Sequence, residues 1–381
     1  MKLVIISAMS GFPWGGSEEL WFRTALYAAG KGDQVEVWHY DWKEHTSDKI
    51  QVLLNKGINV NLVDLQDRHK SVSLLKRIFQ KLKLYKEKEL NPYERVWEIK
   101  PDVVLISQGD TFGLLENRAL LHLVDSLHTK CYILNQYNFE HLILNSFQIQ
   151  TASEIFNKVR KILFVSHRNL EAAQHQIALT IERSTVVQNP VNLTSKHILA
   201  FPKKQTIHFA SVARLDCKFK GQDLLLAAFS NPFWRDKDWT LNLYGLGPDL
   251  SYLQQLAHYY LLGERVCFKG HVQDITSVWQ ENHIQVLCSF GEGTPLSLME
   301  AFFCGRPVIA TDVGGNAKYV IEEKTGFVID APTIKLISVA LIKAYNNFSS
   351  WEEMGINAHK LASHEFSIEA EQQLYDLITK V

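Results

Sequence analysis

The sequence has no closely spaced cysteine pair, no excess of charge of one sign and no long apolar run. Its five cysteines form no C-x-x-C pair, so we expect buried free thiols in a reducing compartment, not a disulfide framework or a cysteine metal site. Basic and acidic residues nearly balance, 40 against 41, which leaves no overall field to attract nucleic acid. The apolar runs are shorter than a membrane span requires.

We therefore expect a cytoplasmic protein. The first apolar run, LVIISAM, precedes the glycine-rich FPWGG, and we interpret it as a buried first strand and not as a signal peptide. Residues 68–90 contain eight basic and two acidic side chains with an apolar stripe at helical spacing. Such a helix can lie peripherally on the anionic inner face of a membrane. The alternative is a helix docked on the sheet with a solvated basic face.

Short apolar runs alternate with helical patterns along the chain, which predicts a parallel α/β fold. The 381 residues are enough for two domains. A predicted strand ends at Asn189-Pro190 before a polar stretch, and this composition is typical of a linker. We predict three parts: an N-terminal Rossmann-like domain over 1–189, a C-terminal Rossmann-like domain over 190–362, and a final helix over 363–381 that returns to the N-terminal domain.

Residues 290–315, FGEGTPLSLMEAFFCGRPVIATDVGG, place two glutamates eight positions apart with a helix start between them. Thr294 can cap a helix, and Pro295 suits its first position. We therefore expect Glu292 in the loop before the helix and Glu300 about two turns into it. Carboxylates accept hydrogen bonds from sugar hydroxyls, and the free N–H groups of a helix N-terminus attract phosphate. The segment predicts a nucleotide-sugar site.

A basic motif follows the first predicted strand of the second domain, in SVARLDCKFKGQDLL. Arg214 and Lys220 lie between the strand end and a helix start. Two cations there can neutralise a diphosphate leaving group, and arginine can hold it with paired donors.

The glutamate segment resembles the Glu-x7-Glu signature of family 4 of the retaining glycosyltransferases, and the basic motif resembles that family's RL…KG motif. The resemblance implies the GT-B fold, in which two doubly wound Rossmann-like domains face a central cleft. It implies that Arg214 and Lys220 hold the donor's diphosphate, that Glu292 lies by the donor sugar, and that Glu300 holds the ribose hydroxyls. The basic motif is one residue longer than the commonest form, so Lys218 is a rival for the role of Lys220.

Other glycine-rich turns after predicted strands resemble further donor-side segments. Gly15 and Gly16 match a GG-[AS]-E loop that closes over the donor, and Ser17 can cap the helix from Glu18. Each turn alone is also what an ordinary strand–helix connection needs. The other donor-binding residues that the resemblance implies are Gly245, His271, Val272, Gly293, Thr294, Pro295 and Leu296.

The residues expected to line the acceptor site, in the first domain, have weaker sequence signals. Asp110, Gln136 and Asn138 end predicted strands of the first half. Many family members have a histidine near the place of Gln136, and here the nearest histidine is His141. His141 and Asp110 are two candidates for an acid–base group, and the resemblance does not require either.

No metal or other cofactor is expected. Asp236-Lys237-Asp238 has the DxD form that binds metal in another glycosyltransferase architecture, but its composition is that of a solvated turn.

We therefore predict a retaining, metal-independent glycosyltransferase of the hexosyltransferase type. It is expected to move a sugar from a UDP-, GDP- or ADP-sugar to a glycan, lipid-linked or other hydroxyl acceptor. Two alternatives are a nucleotide-sugar epimerase or hydrolase of the same fold and a non-catalytic nucleotide-sugar-binding module. The complete set of Arg214, Lys220, Glu292 and Glu300 argues against the module.

Overall fold

The computed structural model describes residues 1–43, 47–64, 91–193, 197–366 and 369–380. The basic segment 68–90 lies outside the described residues, so its membrane contact stays a prediction. None of the helices in the described parts of the chain is long and apolar enough to cross a membrane.

The first half builds a seven-stranded parallel sheet with the strand order β3-β2-β1-β4-β5-β6-β7. Its strands are β1 (Lys2–Ser7), β2 (Gln34–Asp41), β3 (Asn59–Asp64), β4 (Val103–Asp110), β5 (Lys130–Tyr137), β6 (Lys161–Phe164) and β7 (Ser184–Val186). The helices between them are α1 (Gly16–Gly30), α2 (Asp48–Asn55), α3 (Glu94–Ile99), α4 (Arg118–Ser126), α5 (Ser146–Lys158) and α6 (His167–Ile177).

The second half builds a six-stranded parallel sheet with the order β10-β9-β8-β11-β12-β13. Its strands are β8 (Ile207–Val212), β9 (Trp239–Tyr244), β10 (Val266–Gly270), β11 (Ile284–Leu287), β12 (Val308–Thr311) and β13 (Gly326–Ile329). Its helices are α7 (Cys217–Lys220), α8 (Gln222–Phe229), α9 (Leu250–Tyr259), α10 (Ile275–Glu281), α11 (Leu296–Phe303), α12 (Asn316–Tyr319), α13 (Ile334–Asn346) and α14 (Trp351–Glu365). The last helix of the described residues is α15 (Ala370–Thr379).

Both sheets are covered on two faces, which explains the continuous apolar strands of the sequence. In β1, Val4 and Ile6 pack into one core cluster, whereas Leu3 and Ile5 pack into another on the opposite face. This alternation follows from the two-residue period of a strand. Each sheet reverses its strand order once, beside β1 and beside β8. The prediction of two doubly wound Rossmann-like domains is confirmed.

The last helix, α15, packs on the first domain. Leu374 is fully buried in the same cluster as Leu20 of α1. The Tyr375 hydroxyl donates to Asp33 Oδ2 at 2.6 Å, and its ring lies 5.3 Å from that of Tyr27. The limits predicted for the domains, at 189 and 362, stay predictions.

Candidate active site

Two carboxylates lie around the start of α11. Glu292 lies in the loop after β11, and Glu300 is the fifth residue of α11. Glu300 is therefore about one turn into the helix, and the prediction of two turns was wrong. The prediction that Thr294 caps this helix was also wrong, because the cap position is Pro295, which makes no side-chain hydrogen bond. The Thr294 hydroxyl instead donates to the carbonyl of Val165 in the first domain, at 3.1 Å.

Lys220 reaches the first of these carboxylates. Its Nζ lies 2.5 Å from Glu292 Oε1, and the Ser289 hydroxyl donates to the same oxygen at 2.6 Å. Gly221 ends α7 at φ +61°, and a Cβ there would lie 2.4 Å from the Cys288 carbonyl. Only glycine fits this turn, which brings Lys220 against the end of β11. The rival, Lys218, is exposed.

Arg214 lies between the two domains. Its Nη2 pairs with Asp216 at 2.7 Å, its guanidinium lies 3.9 Å from the centre of the Phe12 ring, and Nη1 donates to the Gly11 carbonyl at 3.4 Å. Burial lowers the pKa of Arg214, and Asp216 opposes that shift. Its ordinary pKa is so high that it stays a cation at neutral pH.

The glycine loop before α1 meets the N-terminus of α11. A Cβ on Gly16 would lie 2.9 Å from the Leu296 side chain. The prediction that Ser17 caps α1 was wrong, because α1 begins at Gly16 and its cap position is Gly15. Glu18 takes the capping role: its Oε2 accepts from the Gly15 N–H at 3.1 Å and from the Ser17 hydroxyl at 2.6 Å. Burial raises the pKa of Glu18 to about 7.

Glu300 is buried beside the chain segment that joins the domains. Burial raises the pKa of this carboxyl to about 7, and a hydrogen bond from the Asn192 backbone opposes the shift. Glu19 also raises the pKa and Arg23 lowers it. Arg23 Nη2 donates to Asn192 Oδ1 at 2.6 Å.

The other predicted donor-side residues lie at the carboxyl ends of neighbouring strands. Gly245 follows β9, and its N–H donates to the Gly270 carbonyl at 2.8 Å. A Cβ on Gly245 would lie 2.2 Å from the Ala213 carbonyl, next to Arg214. His271 and Val272 follow β10 directly, and His271 is exposed.

The predicted acceptor-side residues mostly bind their neighbours in the first domain. Asp110 Oδ2 accepts from the Phe112 N–H at 3.2 Å, and burial raises its pKa to about 6. Gln136 Oε1 accepts from Asn189 at 2.9 Å, and Asn138 donates to a glutamine of α6 at the same distance. His141 is exposed. Asp110 lies in register with Tyr137, the residue between Gln136 and Asn138, so these three predicted acceptor-side residues lie at the carboxyl ends of the neighbouring strands β4 and β5.

Two groups of interdomain residues escaped the sequence interpretation. Phe219 lies 5.1 Å from Phe139 and 6.0 Å from Tyr137, as ring centroids. The aromatic residue between the two lysines of the basic motif was a signal for this contact. Arg168 of the first domain pairs with Asp312 of the second, and a separation of 144 residues leaves no local signal for that contact.

The DxD segment lies away from this cleft. Asp238 immediately precedes β9 and accepts from the Thr206 hydroxyl at 2.9 Å, while Asp236 pairs with the adjacent Lys237. The amino end of β9 is opposite the edge that carries the donor-side residues. Among the described residues, no group of three or more His, Cys, Asp or Glu is arranged to hold a metal ion.

Two facing Rossmann-like domains are the GT-B architecture. In this protein, cationic and acidic side chains lie at the cleft edge of the second domain. Anabaena HepE in complex with UDP has the same fold: the similarity covers 100% of both chains, with a TM-score of 0.73 and 17% identity. That identity shows the fold alone. Residues 194–361 match the family model described as glycosyl transferases group 1.

Curated relatives agree with the family match. The chain is 24% identical over 234 residues to the GtfA component of a UDP-N-acetylglucosamine–peptide N-acetylglucosaminyltransferase from Streptococcus pneumoniae, covering 60% of this chain and 46% of the relative. It is 25% identical over 263 residues to one component of the human phosphatidylinositol N-acetylglucosaminyltransferase, covering 66% and 52%. The chain therefore spans about half the length of the curated relatives it matches.

Proposed function

We propose that this protein is a retaining glycosyltransferase that moves a sugar from a nucleotide diphosphate sugar to a hydroxyl acceptor. The contact between Lys220 Nζ and Glu292 Oε1 at 2.5 Å carries the proposal. In this contact, the ammonium proposed to bind the diphosphate lies beside the carboxylate proposed to bind the sugar. Arg214 lies at the same interdomain cleft. The Glu-x7-Glu resemblance to family 4 supports the retaining assignment.

In the proposed reaction, the bond between the anomeric carbon and the diphosphate oxygen breaks. A bond to the acceptor oxygen forms on the same face, and the acceptor proton passes to the departing phosphate oxygen. Arg214, Lys220 and the N-terminus of α11 stabilise the charge that develops on the diphosphate. No side chain is required as a nucleophile.

Glu292 has two successive roles in this proposal. Without donor it holds Lys220 in place, because the pair is close and Glu292 is only 7% exposed. With donor bound, the diphosphate takes over the ammonium, and the carboxylate is released to accept from the sugar hydroxyls. The cation is positioned before the charge develops, which lowers the reorganisation that the reaction requires.

Glu300 is assigned to the ribose hydroxyls of the donor. It lies one turn into α11, so its carboxylate is close to the helix N-terminus where the diphosphate would bind. The turn at Gly245 and the segment of His271 and Val272 lie on neighbouring strand ends, which suits contact with the base. We propose a uridine diphosphate sugar as the donor, because the HepE structure contains UDP and the peptide-modifying relative is a UDP-N-acetylglucosamine–peptide N-acetylglucosaminyltransferase.

The acceptor is assigned to the first-domain side of the cleft. One relative is a peptide N-acetylglucosaminyltransferase and the other a phosphatidylinositol N-acetylglucosaminyltransferase, so similarity to them does not decide the acceptor class. A hydroxyl on a glycan or a lipid-linked glycan remains our proposal. Asp110 and His141 stay the candidates for an acid–base group, although Asp110 is already bound to its own turn.

A screen of donor binding and turnover tests the proposal. UDP-, GDP- and ADP-sugars are incubated with the full chain, with and without a glycan acceptor and with and without EDTA, and the anomeric configuration of the product is read by NMR. We expect slow hydrolysis of one donor class, insensitivity to EDTA, and retention on transfer. Binding without turnover supports the non-catalytic module, donor consumption that an acceptor does not change supports an epimerase or hydrolase, and an inverted product contradicts retention.

A further inference from the structure

Two first-domain side chains hold a segment of the second domain. The Arg168 guanidinium is bidentate to Glu140, with Nε 2.7 Å from Oε1 and Nη2 2.8 Å from Oε2. Its remaining Nη1 donates to the Asp312 carboxylate on the other side of the cleft. Glu140 Oε1 also accepts from the Gly314 N–H at 3.1 Å. We call these contacts the Arg168 clasp. The clasp therefore binds the second domain through a side chain and through the backbone.

The segment held by the clasp supports the loop of Glu292. Gly314 has φ +54°, and a Cβ there would lie 2.1 Å from the Glu292 carbonyl. The Gly315 N–H donates to the Gly293 carbonyl at 2.5 Å. Because the two segments pack backbone to backbone, a shift of one moves the other.

Uncharged contacts between the domains lie next to the clasp. The Thr294 hydroxyl donates to the Val165 carbonyl at 3.1 Å, and a Cβ on Gly293 would lie 2.1 Å from the Gln136 carbonyl. These contacts act only when the domains already touch. The attraction between Arg168 and Asp312 falls off more slowly with distance, so it acts earlier during closure.

We propose that Arg168 and Glu140 are positioning residues that hold the two domains closed and set the place of the Glu292 carboxylate through residues 312–315. The catalytic consequence rests on the proposed glycosyltransferase function, whereas closure can be measured without turnover. Arginine suits this role because its planar guanidinium pairs with two carboxylates at once, which the point charge of a lysine cannot do. The side chains of Arg168, Glu140 and Asp312 are 36%, 29% and 34% exposed, so salt should weaken the clasp.

Small-angle X-ray scattering and calorimetric binding of UDP test the clasp on the full chain. The variants are R168M, R168K, D312N and the double variant R168M/D312N. The matched control is K343M, which removes a partly exposed lysine paired with Glu322 and Glu323 inside the second domain. Each protein is measured at low salt and at high salt.

We expect R168M to have a larger radius of gyration and about fivefold weaker UDP binding, since closure is linked to binding and an exposed ion pair contributes modestly. D312N should reproduce most of this change, because it breaks the interdomain pair and leaves the Arg168–Glu140 pair inside the first domain. R168K should resemble R168M. The double variant should be no worse than R168M, and high salt should enlarge the radius of gyration only in proteins with an intact clasp.

Unchanged scattering and UDP affinity in both R168M and D312N would overturn the clasp, as would an equal effect of K343M. If R168M unfolds, D312N still tests whether the clasp holds the domains closed, because this variant keeps the side chains of Arg168 and Glu140. Where a donor is turned over, the clasp predicts a raised KM and a larger share of hydrolysis over transfer, since an open cleft admits water. If no donor is turned over, the proposed function fails, while the scattering still tests closure.

Discussion

Lys220 and Glu292 neutralise each other at 2.5 Å, although 72 residues separate them in the chain. A single hydrogen-bonded pair therefore joins the basic motif after β8 to the acidic motif before α11. In the proposed function, Lys220 binds the diphosphate and Glu292 binds the sugar of the donor. The pair is also the point at which single substitutions should separate donor binding from donor chemistry.

Replacing Lys220 should affect chemistry more than binding. K220M removes one of the two cations at the proposed diphosphate seat, and loss of one preorganised charge-stabilising donor commonly costs about 100- to 1000-fold in kcat. The matched variant is K218M, which removes the exposed rival lysine and should change kcat by less than about threefold. Steady-state kinetics with the active donor decides between them. A larger loss of kcat in K218M than in K220M would assign the diphosphate contact to Lys218.

Replacing Glu300 should weaken donor binding. E300A removes a carboxylate proposed to accept from the ribose hydroxyls, and hydrogen bonds to a charged group contribute about 1.5–3 kcal/mol. Calorimetry with UDP should show that loss, while E353A, at an exposed site on α14, should bind as the wild type does. The same affinity in E300A and wild type would remove the ribose assignment.

The buried carboxyl of Glu300 should make the unliganded protein less stable as pH rises. Burial raises its pKa from 4.5 to about 7 in the folded state, so between these values the folded protein holds a proton that the unfolded chain has released. The free energy of unfolding then falls through this window, by up to about 3 kcal/mol for a shift of this size. Urea unfolding at pH 5 and pH 7.5 measures the difference.

The control for this pH dependence is E300Q, which has no titrating group at this position. Its free energy of unfolding should fall less than that of the wild type over the same pH interval. Glu18 keeps part of the slope in both proteins, because burial raises its pKa to about 7 as well. Parallel pH profiles for wild type and E300Q would contradict the assignment.

Adding a methyl group at Gly293 should keep the domains apart. The Cβ of G293A would lie 2.1 Å from the Gln136 carbonyl and 2.4 Å from a Val165 methyl carbon, and backbone atoms cannot give way as a flexible side chain can. We expect turnover to fall at least tenfold, because misplacement by about 1 Å costs this much or more. Gly30 meets nothing within 4 Å, so G30A should keep full activity. Wild-type turnover in G293A would show that closure does not require this contact.

Shortening Leu374 should destabilise the first domain. This side chain of α15 is fully buried against the cluster that includes Leu20, and a buried Leu→Ala change costs about 2–5 kcal/mol. Hydrogen exchange should show weaker protection in α1 and β1, with the second sheet unchanged. V339A, at a site 56% exposed on α13, is the control. Equal protection in L374A and wild type would contradict the docking of α15.

Most of the fold could be predicted from the sequence because its signals are local. Apolar runs such as LVIIS specify buried parallel strands by composition alone, and the alternation with helices implies the doubly wound order. The details of helix starts could not be predicted in this way. Thr294 and Ser17 are both good capping residues, but Thr294 finds an acceptor across the cleft at Val165, and Ser17 lies inside the first turn of α1.

By itself, the sequence determined the two-sheet architecture and the residues of the basic and acidic motifs, since backbone preferences and glycine turns act over a few positions. Only the tertiary structure decided which groups meet. It selected Lys220 over Lys218 as the partner of Glu292, tied Asp110 and Asn138 to their neighbours, and joined Arg168 to Asp312. Charged and polar pairs of this kind depend on how two separately folded sheets face each other, and no local pattern encodes that distance.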